Sequence, residues 1–114
     1  MIDLQVEQTN QVLVVTIEGV NYEMPMDKAE EAAGEWKISS EIVAQIYAIV
    51  AYVAGCEKHA RKPKWEKFVE GYGRILQLIS PEELISRMID DCGRKVLNPD
   101  KLYNAIKMDL ESPT

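Results

Sequence analysis

The chain has 114 residues, 46% of them hydrophobic and 28% charged, and a formal net charge of -6. This composition excludes a wholly disordered chain, and the acidic balance disfavours a protein that binds nucleic acid through its overall charge. The length is typical of one compact domain. We therefore predict a single domain over residues 1–114, with a β-meander in residues 1–25 and a helical part in residues 27–111.

The N-terminal residues have the patterns of three β-strands. Apolar and polar side chains alternate in residues 2–7 and 20–24, whereas residues 12–18 are apolar on both faces. Alternation predicts strands with one exposed face, and the continuous run predicts a central strand. Gly19 fits a tight hairpin turn between the second and third strands, and Pro25 ends the pairing. The residues expected on the exposed face of this antiparallel meander are Asp3, Glu7 and Glu23.

The segment from Ile42 to Cys56 is the most apolar part of the chain, and its one strongly polar side chain is Gln45. Ser39 or Ser40 can cap a helix that we expect to run from Ser40 to about Arg61. Such a helix is apolar around about three quarters of its circumference, so other elements or a partner must cover it. We expect the sheet and the helices that begin near Trp65 and Pro81 to do so. One of its stripes contains only small residues, which would let another helix approach closely: Ala44, Ala48, Ala51 and Gly55.

Capping signals predict further helices on both sides of this segment. Asp27 and Glu30 have capping-box spacing, which predicts a short helix toward Trp36. Apolar residues recur at helical spacing over residues 65–79, which predicts an amphipathic helix with a soft middle at its two glycines.

Two local sequences predict the starts of the last helices. Ser80 and Asn98 each precede a proline and an acidic residue, the arrangement of an N-cap followed by the first helical turn. Gly93 fits the end of the first of these helices, and Leu110 is expected to be buried on the second. Together the patterns predict an α+β fold: an N-terminal three-stranded antiparallel meander followed by a four- to five-helix subdomain around a central apolar helix.

The charges are unevenly distributed. Residues 1–41 contain nine acidic and two basic residues, a net of -7, whereas residues 42–114 have a net of +1. An acidic surface favours basic partners or keeps the protein dissolved. The main local positive cluster surrounds Trp65 and could contact phosphates, with Trp65 stacking on a base, or could complement the end of the preceding helix dipole. Its members are Lys58, Arg61, Lys62, Lys64, Trp65 and Lys67.

The sequence has no recognisable catalytic, metal-binding or cofactor motif. Cys56 and His59 lie three residues apart, but no Asn or Asp is placed to orient the histidine. One His and two Cys do not supply a zinc site. The segment 71–74 lacks the third glycine and the Lys-Ser/Thr of a phosphate loop. We predict a protein that is not an enzyme and has no cofactor and no metal.

The expected location is the cytoplasm, without a membrane span. The apolar segment is shorter than the roughly 20 residues that cross a bilayer, and the N-terminus lacks the pattern of a secretion signal. Cys56 and Cys92 are expected to be free, buried thiols.

Residues 16–26, with the sequence TIEGVNYEMPM, resemble the opening of phage tail assembly chaperones. The resemblance covers about the first quarter of the chain, and no motif after Asp27 extends it. It implies a small adaptor encoded by a phage or another mobile element.

We predict a non-enzymatic protein-binding or assembly protein whose partner is another protein or a second copy of itself. Its candidate contact surfaces are the acidic sheet face and the stripe of small residues. One alternative is a nucleic-acid-associated regulator that uses the basic segment 58–67. Another is an acidic inhibitor that occupies a nucleic-acid site on a partner protein.

Overall fold

The computed structural model of the protein describes residues 4–9, 11–56 and 61–112. The predicted α+β fold is confirmed, with a three-stranded antiparallel sheet followed by helices. The strands are β1 (Leu4–Thr9), β2 (Val12–Ile17) and β3 (Val20–Pro25). The α-helices are α1 (Met26–Trp36), α2 (Ser40–Cys56), α3 (Trp65–Ile75), α4 (Pro81–Asp90) and α5 (Pro99–Glu111). A 3₁₀ helix that the sequence patterns did not predict, Arg94–Leu97, lies between α4 and α5.

The sheet is a meander with β2 at its centre. Leu13, Val15 and Ile17 project from β2 into the core and are at most 1% exposed. Glu18 and Gly19 form the β2–β3 turn with φ values of 49° and 80°. A two-residue loop with positive φ at both residues has a twist that matches the twist of the two strands it joins. The predicted hairpin turn is therefore confirmed.

Helix α2 lies at the centre of the molecule, and its buried residues are Val43, Ala44, Ile46, Ala48, Ile49, Val50 and Val53. It packs against β2, α1, the 3₁₀ helix and α4. We expected α3 to cover one face, but α3 packs chiefly on α5 and reaches α2 through the rings of Phe68 and Tyr47. Helix α1 can lie against α2 because the left-handed conformation of Lys37 ends α1 and turns the chain.

The far end of α2 differs from the prediction. The described part of the helix ends at Cys56, and Arg61 is not helical; residues 57–60 lie outside the described ranges. Within those ranges no single helix has the length and apolar character to span a membrane, although α1 and α2, bent by 106° at their junction, meet that test as a pair.

Local capping signals predicted three helix starts correctly. The Ser39 hydroxyl accepts a hydrogen bond from the Ile42 N–H (3.3 Å), and the Ser80 hydroxyl accepts one from the Glu83 N–H (3.2 Å). The Asn98 side chain accepts one from the Lys101 N–H (3.3 Å). Each bond satisfies an N–H group that the first helical turn leaves without a partner.

Two other capping predictions are wrong. Helix α1 begins directly after β3, with Pro25 rather than Asp27 at its N-cap and no side-chain capping bond. The Met26 N–H instead donates to the Gln11 carbonyl oxygen (2.8 Å), so the hairpin supplies an acceptor at this helix start. Helix α4 ends at Asp90, and Gly93, with φ of -138°, does not adopt the left-handed conformation of a glycine cap.

Helix α3 is held against the C-terminal part of the chain by close packing. Gly71 contacts Pro99 at the start of α5, and a Cβ atom on Gly71 would lie 2.4 Å from the Pro99 Cβ. The buried Tyr72 hydroxyl donates to the Val96 carbonyl oxygen. The glycine that we expected to soften α3 is therefore a packing residue. Leu110, which was expected to be buried, is 51% exposed because it lies near the end of α5 beyond these contacts.

Tyr72 makes the stability of the fold sensitive to alkaline pH. Burial raises the pKa of Tyr72 above the ordinary value of 10.0. Above pH 10 the unfolded chain loses this proton while the folded chain keeps it. The contribution of Tyr72 to the free energy of unfolding is therefore fully present below pH 10 and falls as the pH rises toward the folded pKa. We expect the free energy of unfolding to decrease by up to about 1.4 kcal/mol per pH unit from this group.

The variant Tyr72→Phe removes both the titration and the hydrogen bond to Val96. At pH 7 it should lower the free energy of unfolding by about 1–3 kcal/mol, because the buried carbonyl loses its partner. Urea unfolding should be measured between pH 9 and pH 11, a range around the ordinary tyrosine pKa of about 10. Over this range the free energy of unfolding should fall less steeply with pH in the variant than in the wild type. Parallel declines in both proteins would contradict the assignment.

Candidate binding groove between α1 and α3

An aromatic cluster joins α1, α2 and α3. Phe68 of α3 is 1% exposed, and its ring centroid lies 5.4 Å from that of Trp36 and 5.5 Å from that of Trp65. The Trp36 ring is nearly parallel to the Phe68 ring, with an interplanar angle of 3°. The Trp36 Nε1–H donates to the Val69 carbonyl oxygen at 2.9 Å, which fixes α1 on α3.

Beside this cluster lies a groove of about 470 Å³ between α1 and α3. Trp36, Trp65 and Val69 supply its apolar lining. Gly73 also lines it, and a Cβ there would lie 3.0 Å from the Trp36 indole nitrogen, so the absence of a side chain permits this indole position. The acidic residues that line the groove are Glu31, Glu35, Glu66 and Glu70.

The negative charge of the groove has little internal compensation. Its glutamates form one pair on α1 and one on α3, and each pair is spaced four residues apart, so like charges lie on one helix face at a cost of a few tenths of a kcal/mol. Among the ion pairs in residues 4–9, 11–56 and 61–112, none includes any of the four. Arg74 lines the groove, but its guanidinium lies 3.7 Å from the Asp100 carboxylate and 4.3 Å from the Tyr103 ring centroid. The groove therefore favours a cationic group.

The stripe of small residues on α2 is largely covered by the rest of the chain. Ala44 and Ala48 are 1% exposed, so a partner helix cannot contact them while the chain keeps this fold. Ala51 is half-buried, and Gly55 is exposed with nothing within 4 Å of the position of a Cβ. Self-association through this stripe stays a prediction that depends on these last two residues.

Two of the three acidic residues that were predicted on the exposed face of the sheet can be located in the structure. Glu7 and Glu23 are exposed and lie directly opposite Val14 on either side of β2. Asp3 lies outside the described residues. Val14 is half-buried, so this face offers a narrow apolar strip between two carboxylates.

The basic segment is partly engaged within the molecule. The Lys62 ammonium donates to the Tyr47 hydroxyl at 2.9 Å, and the Lys67 ammonium lies 4.0 Å from the Asp100 carboxylate. Arg61 and Lys64 are exposed, and Lys58 lies outside the described residues.

Trp65, which the sequence predicted to stack on a base, is half-buried. Its ring packs against Phe68, and the Lys28 ammonium lies 5.1 Å from its ring centroid. These two contacts leave only part of the ring surface available to a nucleic-acid base or to any other ligand.

The two cysteines are free, as predicted, but Cys56 is exposed and Cys92 is half-buried. Desolvation raises the pKa of the Cys92 thiol, which disfavours its reactive thiolate form. His59, which we did not expect to activate Cys56, lies outside the described residues. Among the residues that the structure describes, no three His, Cys, Asp or Glu side chains are placed to hold a metal ion.

Tyr52 anchors the hairpin to α2 close to Cys56. The Tyr52 hydroxyl donates to the Glu18 carboxylate at 2.9 Å, and this hydrogen bond is the main cause that raises the pKa of Tyr52. Glu18 has positive φ, so this bond helps to hold a non-glycine residue in the conformation that the turn requires.

The sequence patterns did not reveal the groove, because α1 and α3 are separated along the chain by the whole of α2. One signal was available: Glu31–Glu35 and Glu66–Glu70 are like-charge pairs at the spacing that disfavours a helix, and such an unfavourable pattern can indicate a functional surface. Trp65 was selected from sequence, but for a nucleic-acid role.

No protein-family description, curated protein or solved structure matches the chain.

Proposed function

We propose that the protein is a non-enzymatic protein-binding or assembly factor that contacts a basic partner through the groove between α1 and α3. The resemblance of residues 16–26 to the opening of tail assembly chaperones extends the proposal to a cytoplasmic adaptor encoded by a phage or another mobile element.

The observation that carries the proposal is the combination of two tryptophans with uncompensated carboxylates in one groove. Trp36 and Trp65 offer large, rigid apolar surfaces of the kind that dominate binding energy at protein interfaces. The surrounding glutamates would attract a basic partner and orient it on approach. Lys or Arg side chains of the partner would lie at the rim, with an apolar side chain between them against the indole rings.

The test compares two variants with equal loss of charge. In the first, Glu31→Gln and Glu66→Gln neutralise one carboxylate on each side of the groove. In the second, Glu7→Gln and Glu23→Gln neutralise the exposed sheet face. All four residues are exposed, so both variants should fold.

Affinity isolation from the organism that encodes the chain, with quantitative mass spectrometry, gives the readout. We expect proteins retained by the wild type to be retained by the sheet variant. For the groove variant we expect binding to be roughly tenfold weaker, equal to about 1.4 kcal/mol. Equal retention by both variants, or loss with the sheet variant alone, would contradict the proposal.

Two further measurements separate the alternatives. A partner that nucleic acid displaces from the groove would indicate the acidic inhibitor. Direct, salt-sensitive binding of nucleic acid to the isolated protein, lost with Arg61→Glu and Lys64→Glu, would indicate the regulator.

A further inference from the structure

Trp65 also lines a second cavity, of about 180 Å³, in which aromatic rings predominate. Its lining includes Tyr47 of α2 together with Trp65 and Phe68 of α3. Met24, Pro25 and Pro63 complete the apolar part. Lys28 is the one charged residue among those that the structure places in the lining, in contrast to the acidic groove nearby.

Two ammonium groups lie over the rings at this cavity. The Lys28 Nζ is 5.1 Å from the Trp65 ring centroid, and the Lys62 Nζ is 4.9 Å from the Tyr47 ring centroid. A ring face attracts a cation without neutralising its charge. Among the described residues, neither lysine is in an ion pair, whereas Lys67 and Lys95 each have a carboxylate partner. The positive charge beside the cavity thus remains available to an anion.

The volume limits the size of the occupant. An apolar cavity of about 150 Å³ accommodates a benzene molecule, so the present cavity fits one aromatic ring with a short substituent. Three residues of the lining carry aromatic rings, and these favour an aromatic ligand through offset or edge-to-face contacts.

We propose that this cavity binds a small aromatic carboxylate. The single ring occupies the cavity that Tyr47, Trp65 and Phe68 line. The carboxylate contacts the Lys28 ammonium, and the charge of Lys62 adds to the attraction. This inference stands apart from the protein-binding role of the groove, because it concerns a different cavity and a ligand of opposite charge.

The experiment titrates the protein with phenylacetate and follows the indole N–H signals by NMR. We expect the Trp65 signal to shift with a dissociation constant on the order of 1 mM, a weak affinity suited to a ligand of so few atoms. The Trp36 signal should shift less, because its indole N–H is bonded to Val69 and Trp36 does not line this cavity.

Two comparisons test the role of the charge. Phenylacetamide, which has the same shape without the negative charge, should bind about five- to tenfold more weakly. The variant Lys28→Met keeps most of the apolar stem and should weaken phenylacetate binding most of the way to the level of the amide, because only the charge of Lys62 remains. The control Lys101→Met, an exposed lysine on α5, should bind like the wild type.

An unchanged thermal midpoint for Lys28→Met would show that the variant folds. The absence of any Trp65 shift at concentrations about tenfold above the expected dissociation constant would overturn the proposal. Equal binding of acid and amide, or wild-type affinity in Lys28→Met, would also overturn it.

Discussion

Replacing Phe68 by alanine is expected to lower the free energy of unfolding by about 3–5 kcal/mol. The ring is 1% exposed and contacts four other aromatic rings, with centroid separations of 5.2–5.5 Å. Its removal would leave a cavity and would separate α1 from α3 at the place where the groove forms. The loss would be a large fraction of the roughly 5–15 kcal/mol by which a typical domain is stable.

Urea denaturation of Phe68→Ala measures the effect. The matched control is Leu110→Ala, since Leu110 is a large apolar side chain that is 51% exposed on α5. The control should change the free energy of unfolding by no more than about 0.5 kcal/mol. Similar losses in the two variants would show that the aromatic cluster is not the centre of the helical packing.

The second large effect is expected from Gly71→Ala, at about 2–3 kcal/mol of destabilisation. In an isolated helix this substitution would be stabilising by up to about 1 kcal/mol. Here the added methyl would lie 2.4 Å from the Pro99 Cβ and 2.6 Å from its Cγ, so α3 and α5 would have to move apart. The proline ring is stiff and cannot rotate away as a flexible side chain would.

Gly34→Ala provides the control, because it also lies within a helix but has nothing within 4 Å of the new Cβ. We expect Gly34→Ala to stabilise the protein by about 0.5–1 kcal/mol. The opposite signs at the two positions are the specific prediction. Stabilisation by both substitutions would mean that α3 and α5 are farther apart than described.

Features that depend on a few neighbouring residues could be predicted from the sequence. The Ser80 and Asn98 caps, the hairpin at Glu18 and the central position of β2 all follow from short-range patterns. The Asp27 cap failed because the backbone carbonyl of Gln11, in the turn just before β2, supplies the acceptor. That acceptor becomes adjacent to Met26 only after the hairpin has formed.

The packing of the helices and the candidate site depended on contacts that sequence spacing does not encode. Gly71 had the pattern of a weak point in a helix, and its contact with Pro99, 28 residues later, gives it the opposite role. The groove likewise requires Trp36 and Val69, which are 33 residues apart, to be joined by a hydrogen bond. Periodicity identified the apolar face of each helix but could not determine which helix covers it.

We propose the groove between α1 and α3 as the surface that a basic partner contacts. NMR shift mapping with the partner recovered by affinity isolation tests it most directly, by comparing backbone amide signals before and after binding. We expect the largest shifts in residues 31–36 and 65–74. Largest shifts in β1–β3 or α5, with these two segments unchanged, would contradict it.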